Sequence, residues 1–340
     1  MTTIMQAEIA EIPAAVDRLL TGGAKAIAAA GAALRAADPV LLATVARGSS
    51  DHAALFLGYA TQLLAGLPVA SLAPSVTSVY NRPLRLDRAA VVTVSQSGKS
   101  PDIVNAARAA VQAGAVTVAL TNDLASPLAQ AVAHPLDICA GPERSVAATK
   151  TFVTSVVAGL KLLAEWTGDA ALSQALAALP GHLEKAVAHD WPGFRAALDG
   201  AGSIYVLGRG PSLAIANEAA LKFKETCQRH AESYSSAEVM HGPVSIVDPG
   251  FPVLVLAARD PAEPLIAATA DDLAAKGARV FATSAAVTRA SRLDFVATGH
   301  PLTDPICLAA SFYAMVERLA VASGINPDLP RHLRKVTETT

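Results

Sequence analysis

The feature that most narrows the fold is a duplication. An apolar run followed by a glycine turn occurs at Val40–Val45 with Arg47-Gly48, and again at Ser203–Leu207 with Gly208-Arg209-Gly210. A second apolar run, Ala89–Val94, leads into Ser95-Gln96-Ser97-Gly98-Lys99-Ser100-Pro101; its counterpart, Val253–Leu256, leads into Ala257-Ala258-Arg259-Asp260-Pro261. Val111–Gly114 then Val116–Leu120 is matched by Asp271–Gly277 then Arg279–Thr283. The offset stays near 162 residues at all three landmarks. A constant offset is the trace of one supersecondary unit copied in tandem. Short apolar runs alternating with helix-length segments are the pattern of a parallel sheet covered by helices on both faces.

The 340-residue length suits two domains of about 150 residues each. The expected division is an N-terminal helical segment over 1–34, a first domain over 35–167 and a helical linker over 168–194. A second domain then spans 195–325, and a C-terminal loop 326–340. Residues 4–36 read as helical with one turn cluster at Thr21-Gly22-Gly23; Pro180-Gly181 and Trp191-Pro192-Gly193 read as breaks in the linker.

Composition excludes several function classes. The formal net charge of −2 leaves no electrostatic footprint for nucleic acid or an anionic membrane. No uninterrupted apolar run approaches the roughly 18–20 residues of a spanning helix. The start, MTTIMQAEIAEIP, carries acidic residues and lacks the basic n-region of a signal peptide. Three separated cysteines, Cys139, Cys227 and Cys307, argue against a disulfide framework and for a reducing cytoplasm. No histidine pair has metal-ligand spacing, so neither a metal nor a cofactor is expected.

Two segments carry candidate chemistry. In Ser95–Ser100, Ser100 stands at the N-cap before Pro101, and the loop offers hydroxyls, a flexible glycine and free N–H groups at a helix start. That is the make-up of a phosphate cradle, at the carboxyl end of a strand where open α/β sheets bind ligands. The plainer reading is an ordinary capped helix with a solvated serine loop. Arg47-Gly48-Ser49-Ser50 adds hydroxyls from the neighbouring turn. The second segment, Leu207–Pro243, places Glu218, Lys222 and Glu225 on one helix face, followed by a Ser-rich loop and His241-Gly242-Pro243. The plainer reading is a surface salt ladder. The interleaved Ala219, Ala220, Leu221 and Phe223 favour a helix packed on several sides, where a carboxylate becomes a competent proton shuttle. Lys222 is either a Schiff-base nucleophile or a residue that orients Glu225 or the substrate. The tail PDLPRHLRKVTETT, by itself, reads as a frayed terminus.

The motifs RGSSD, SQSGKSPD, ERSVAATKTF, LGRG…NEAALKFKE, HAESYSSAEVMHGP and PRHLRKVT, in that order, resemble the sugar isomerase (SIS) family over essentially the whole chain. Within it, the chain is similar to the isomerase half of glucosamine–fructose-6-phosphate aminotransferase and to stand-alone glucosamine-6-phosphate deaminases. The resemblance implies two tandem flavodoxin-like α/β/α sandwiches with parallel sheets. It implies phosphate binding by Ser95, Gln96, Ser97 and Ser100, with Ser50 close to the sugar and the backbone near Val146 on its hydroxyls. Glu225 is implied as the base moving a proton between C1 and C2, Lys222 as a catalytic lysine, and Glu218 as a supporting acid. His241 is implied as the ring opener, reaching in from a neighbouring subunit, which would make the protein a homodimer. Lys335 is implied as the lysine of a C-terminal loop folding over the site. Two departures stand out. An N-terminal glutaminase domain is not expected, and position 2 is Thr2, not a cysteine, so glutamine is not expected to supply ammonia within this chain. Ala148 stands where the aminotransferase has a substrate-contacting serine.

The reaction so implied is deamination of glucosamine 6-phosphate to fructose 6-phosphate and ammonia. Related alternatives are ammonia-dependent synthesis, galactosamine-6-phosphate deamination and deglycation of a fructosamine phosphate. A non-catalytic phosphosugar sensor is the alternative of a different class.

Overall fold

The computed structural model describes residues 2–335. Met1 and residues 336–340, which include the end of the PRHLRKVT motif and of the expected C-terminal loop, lie outside the described residues. Contacts divide the chain into two compact units that are not contiguous in sequence. The first holds residues 11–143, 150–180 and the described 334–335; the second holds 2–10, 144–149 and 181–333.

The chain opens with α1 (Ile4–Ala10) of the second unit, then α2 (Ile12–Gly22) and α3 (Ala24–Ala37) of the first. Where one helical stretch with a single turn was expected, there are three helices, because the backbone is interrupted at Glu11 as well as at Gly23. The first unit continues through β1 (Leu41–Val45), α4 (Ser49–Ala65), β2 (Val69–Ser71), α5 (Ser75–Ser78) and β3 (Ala89–Val94). Then come α6 (Pro101–Gln112), β4 (Val116–Thr121), α7 (Pro127–Ala131), β5 (His134–Asp137) and α8 (Lys150–Thr167). Strand β5 ends before the expected Cys139, which takes the left-handed φ of 51° and so cannot extend it. All strands are parallel, in the order β2-β1-β3-β4-β5. Ile103, Val104, Ala107 and Leu128 of α6 and α7 pack on Ala43, Val45, Val91 and Ala119 of the sheet. Helix α8 is packed closely against its neighbours: a Cβ on Gly31 would come 2.8 Å from Cβ of Glu165.

Helix α9 (Ala170–Ala186) runs through Pro180, which was expected to break it. Proline removes one helical N–H and crowds the preceding turn, yet helices often continue past it with a kink. The division between the two units falls at this residue. The second unit proceeds through α10 (Pro192–Ala197), β6 (Ser203–Gly208), α11 (Ser212–Cys227), β7 (His230–Ser235) and β8 (Pro252–Val255). It closes with α12 (Glu263–Ala275), β9 (Arg279–Ala282), β10 (Ser291–Arg292) and α13 (Asp304–Ala322). The order β10-β9-β8-β6-β7, again parallel, is the first sheet repeated. Equivalent strands start 162, 161, 163 and 163 residues apart for the first four pairs. Both sheets have flavodoxin-like order, so the fold is two tandem α/β/α sandwiches.

The segment expected as a Ser-rich loop begins as the edge strand β7, pairing with β6 from Ser203↔His230 to Gly208↔Ser235. An edge strand needs one partner and no apolar run, which explains why HAESYS carries no strand signature. Helix α13 carries Asp304, Glu317 and Arg318 and is not an uninterrupted apolar run. It is long and apolar enough by composition to cross a membrane, but 83% of its apolar window is buried inside the protein, as the core helix of its unit.

Candidate active site

In the first unit, the turn after β1 and the loop after β3 meet at a cavity of about 300 Å³. Arg47, Ser50, Ser95, Gln96, Ser97, Ser100 and Lys335 line it. The loop is fixed by its own backbone. Ser95 N–H donates to Leu120 O at 3.0 Å, Asn122 N–H to Gln96 O at 3.0 Å and Leu128 N–H to Gly98 O at 3.1 Å. Gly98 has φ of 61°, and a Cβ there would lie 2.2 Å from Ser126 Oγ, so glycine is the residue that fits. Ser95 Oγ accepts from Gly98 N–H at 3.2 Å, folding the loop back on itself. Ser100 occupies the N-cap of α6, but its side chain makes no cap bond. Its hydroxyl is therefore not committed to the helix.

Lys335 reaches the same cavity and is held there. Its Nζ donates to Glu143 Oε2 at 2.8 Å. That carboxylate is itself buried, accepting from Thr151 N–H at 3.1 Å and Thr151 Oγ at 2.6 Å. The tail is thus anchored at Lys335 and not frayed there. Glu143 was not singled out as a site residue from the sequence, although it opens the ERSVAATKTF motif.

The second unit contains the acid–ammonium cluster. Helix α11 can turn back over β6 because Gly208 has no side chain: a Cβ would sit 2.4 Å from Ser212 O. The helix packs on β6, β7 and α13, which buries the charged face. Glu218 is 1% exposed and Lys222 0%, while Glu225 retains 20%. Lys222 Nζ lies 3.0 Å from Glu218 Oε1 and donates to Glu225 Oε2 at 2.6 Å. Tyr313 on α13, fully buried, donates its hydroxyl to Glu218 Oε1 at 3.0 Å. Sequence reading missed Tyr313, because a tyrosine in an apolar helix looks like core. Burial alone would pull the Lys222 pKa down; the Glu218 and Glu225 carboxylates, with their hydrogen bonds, overcome it and hold the ammonium above the ordinary lysine range. A lysine so charged orients Glu225 and is a poor amine nucleophile at neutral pH.

His241 stands apart from this network, exposed at the end of a short 3₁₀ turn, Glu238–Met240. Its N–H donates to Glu238 O at 2.9 Å, and Tyr205 Oη donates to Pro243 O at 3.0 Å, pinning the loop to the sheet. Val146 and Ala148 lie on the segment Arg144–Thr149 of the second unit. Glu8 of α1 fixes that segment: its buried carboxylate accepts from Arg144 N–H at 2.5 Å and Ser145 N–H at 3.2 Å.

Two parallel sandwiches of one topology, one with a serine loop at a strand end and the other with a buried acid–base helix, define a duplicated α/β enzyme scaffold. The SIS domain model matches residues 41–164 and 197–322, and the chain belongs to that family. A glutamine–fructose-6-phosphate aminotransferase from Aeropyrum pernix is 34% identical over 97% of this chain and 56% of its own length. The chain thus spans about half the length of the curated relatives it matches. A crystal structure from Silicibacter pomeroyi, provisionally described as a phosphosugar isomerase, is 62% identical with a TM-score of 0.94, covering 96% of this chain and all of that one (100%). Glucosamine-6-phosphate deaminase from Thermotoga maritima has the same fold, with a TM-score of 0.73 at 18% identity, covering 96% of this chain and 100% of its own.

Proposed function

We propose that this chain is a phosphosugar isomerase of the SIS family whose reaction is deamination of glucosamine 6-phosphate. The observation that carries the reading is the difference in exposure within the cluster. Lys222 and Glu218 are sealed, and Glu225 alone of the three keeps access, at 20% exposure. A carboxylate aligned by a fixed ammonium and open on one side is built to move a proton.

In the proposed sequence, the Ser95–Ser100 loop holds the phosphate and His241 assists ring opening. Glu225 takes the proton from C2 of the open-chain aldehyde and returns it to C1, leaving an alcohol at C1 and an imine at C2. Water adds to the imine carbon, and ammonia leaves as the C2 ketone forms. Lys222 keeps Glu225 oriented, Glu218 and Tyr313 keep Lys222 in place, and Lys335 closes the phosphate cavity. Binding energy from the remote phosphate orients the reacting carbons. Water and the amino sugar are the only reactants the scheme requires.

The test is Glu225→Gln, assayed for ammonia and fructose 6-phosphate over a panel of phosphosugars. Turnover is expected to fall by several orders of magnitude while phosphosugar binding persists; full activity in the variant refutes the assignment of the base. A wild type that forms ammonia only from galactosamine 6-phosphate or a fructosamine phosphate refutes the substrate. A wild type that turns over no phosphosugar refutes the enzyme.

A further inference from the structure

The phosphate cavity is lined by hydroxyls and backbone, yet a sugar phosphate carries about −1.5 to −2 charges at neutral pH. Among the described residues, two cations line this cavity, Arg47 and Lys335. Arg47 stands at the turn after β1, and its guanidinium extends to the first turn of α6. There Nη2 donates to Asp102 Oδ2 at 2.9 Å and Nε donates to the same oxygen at 3.2 Å. The Arg47 side chain is 55% exposed and that of Asp102 only 1%. A surface arginine samples many rotamers; this one is tied at one edge to a buried carboxylate that cannot move with it. Asp102 Oδ1 is occupied by Ile103 N–H at 2.8 Å, so the carboxylate is held by the helix. The guanidinium has more donors than the two spent on Asp102, and the half-exposed residue that carries them lines the cavity.

We propose that Arg47 is a phosphate-binding residue of this site, with Asp102 as the positioning residue that aims its guanidinium. The assignment deepens the phosphosugar reading of the same cavity and rests on it for the identity of the substrate. It differs from a structural clip between β1 and α6 in one respect: a clip needs neither an arginine with donors to spare nor a place in the lining of a cavity of hydroxyls. Arginine suits the task because its planar fork meets two phosphate oxygens at once, which a lysine at the same place does not. The other charged groups nearby, Asp51 on α4, Lys99 and the Lys335–Glu143 pair, do not replace it. Asp51 is an acid, Lys99 of the serine loop lies 3.7 Å from Asp123 and is not in the cavity lining, and Lys335, also paired with a buried carboxylate, brings a point charge without the planar fork.

Calorimetric titration with inorganic phosphate at constant ionic strength tests the proposal without requiring turnover. Arg47→Ala is expected to weaken phosphate on the order of 10- to 100-fold, the range for losing charge-assisted hydrogen bonds. Arg47→Lys is expected to fall between that variant and the wild type. It also supplies the answer if the alanine variant fails to fold by circular dichroism. Asp102→Asn separates aiming from charge. Removing a negative group near an anion would by itself tighten binding, so weaker phosphate binding supports the positioning role and tighter binding overturns it. Phosphate affinity unchanged in Arg47→Ala, or in folded Arg47→Lys where the alanine variant does not fold, overturns the proposal. The two readings fail separately. Arg47-dependent phosphate binding in a protein that turns over no phosphosugar leaves this assignment standing and removes the proposed reaction. Wild-type phosphate binding in an Arg47 variant that still deaminates removes this assignment alone.

Discussion

Replacing Lys222 by methionine measures whether the acid–ammonium cluster is a surface ladder or a buried ion network, because the two differ about tenfold in energy. Exposed i,i+4 pairs contribute about 0.3–0.5 kcal/mol. Removing one partner of a buried pair costs about 3–5 kcal/mol, because a charge is left without compensation in a poor solvent. With Glu218 at 1% and Lys222 at 0% exposure, Lys222→Met belongs to the second case. The double variant Lys222→Met/Glu218→Gln removes the orphaned carboxylate and is expected to recover about 2 kcal/mol or more, since Glu225 can turn to water. Lys222→Met should also regain stability as pH falls from 7 toward 5, when protonation discharges the stranded carboxylate. The wild type has no such dependence from Lys222: its raised pKa means the contribution is complete below the ordinary lysine range and is lost only above it. Urea unfolding provides the assay. Trp166 lies in the first unit and Trp191, whose indole N–H donates to Asp294 O at 2.8 Å, in the second. A Trp166→Phe background therefore reports the unit that holds the cluster. A cost below about 1 kcal/mol, unchanged by pH, would refute the buried-network account.

Gly98→Ala should destabilise the first unit by about 1–3 kcal/mol and weaken phosphate binding, since it adds a clash with Ser126 to an unfavourable φ; Gly48→Ala, where nothing lies within 4 Å, should cost less, as thermal melts of the pair will show. Tyr313→Phe should lower kcat with little change in KM, because it acts through Glu218 and Lys222 without facing substrate; a pure KM effect in steady-state kinetics would contradict this. Burial pushes the Cys227 thiol up to about 11 and Cys307 up to about 12, so neither should react with a disulfide reagent at pH 8 in the folded protein, and modification should follow the unfolding rate. Mixing Glu225→Gln with His241→Ala should restore part of the activity if each site draws His241 from a second copy; no recovery after verified subunit exchange would count against shared sites.

The fold was legible wherever strands were buried on both faces, because a buried parallel strand must be apolar along its whole length. Ala89–Val94 is buried at every position, and its limits follow directly from composition. Strand β7 was invisible for the converse reason: as an edge strand it keeps His230, Glu232 and Ser233 at least partly exposed. The signal that could have found it was the repeat, which places a partner for Val69 near residue 231. At the site, residues on one loop or helix were legible because they are neighbours in sequence. Groups joined only by folding were not. Tyr313 meets Glu218 from 95 residues away, and Lys335 meets Glu143 from 192. No local pattern records such pairs, since each member looks like core or tail until the other is placed.

The duplication also explains why each copy holds a different function. At positions 162 residues before Glu218, Lys222 and Glu225, the first copy has Phe56, Ala60 and Leu63. Phe56 and Ala60 are fully buried, so the helix that carries charge in one copy is ordinary packing in the other. The reverse holds for the loop after the third strand of each sheet. Where the first copy has hydroxyls, the second has Arg259-Asp260-Pro261-Ala262-Glu263. There Asp260 Oδ1 accepts from Ala262 N–H at 2.8 Å, at the N-cap of α12. Burial raises the Asp260 pKa, the Ala262 and Glu263 N–H groups oppose that, and the Glu263 and Asp304 carboxylates add to it. Glu263 Oε1 in turn accepts from Ser284 Oγ at 2.7 Å. This helix start already has its own carboxylates, and a phosphate brought to it would meet two acids in place of open N–H groups. The second sheet has thus lost the means to hold an anion at the place where the first is arranged to do so. Grafting Ser95–Ser100 onto residues 257–262 should therefore fail to create a second phosphate site while Glu263 remains, and calorimetry with inorganic phosphate on the grafted chain, with and without Glu263→Gln, would decide it.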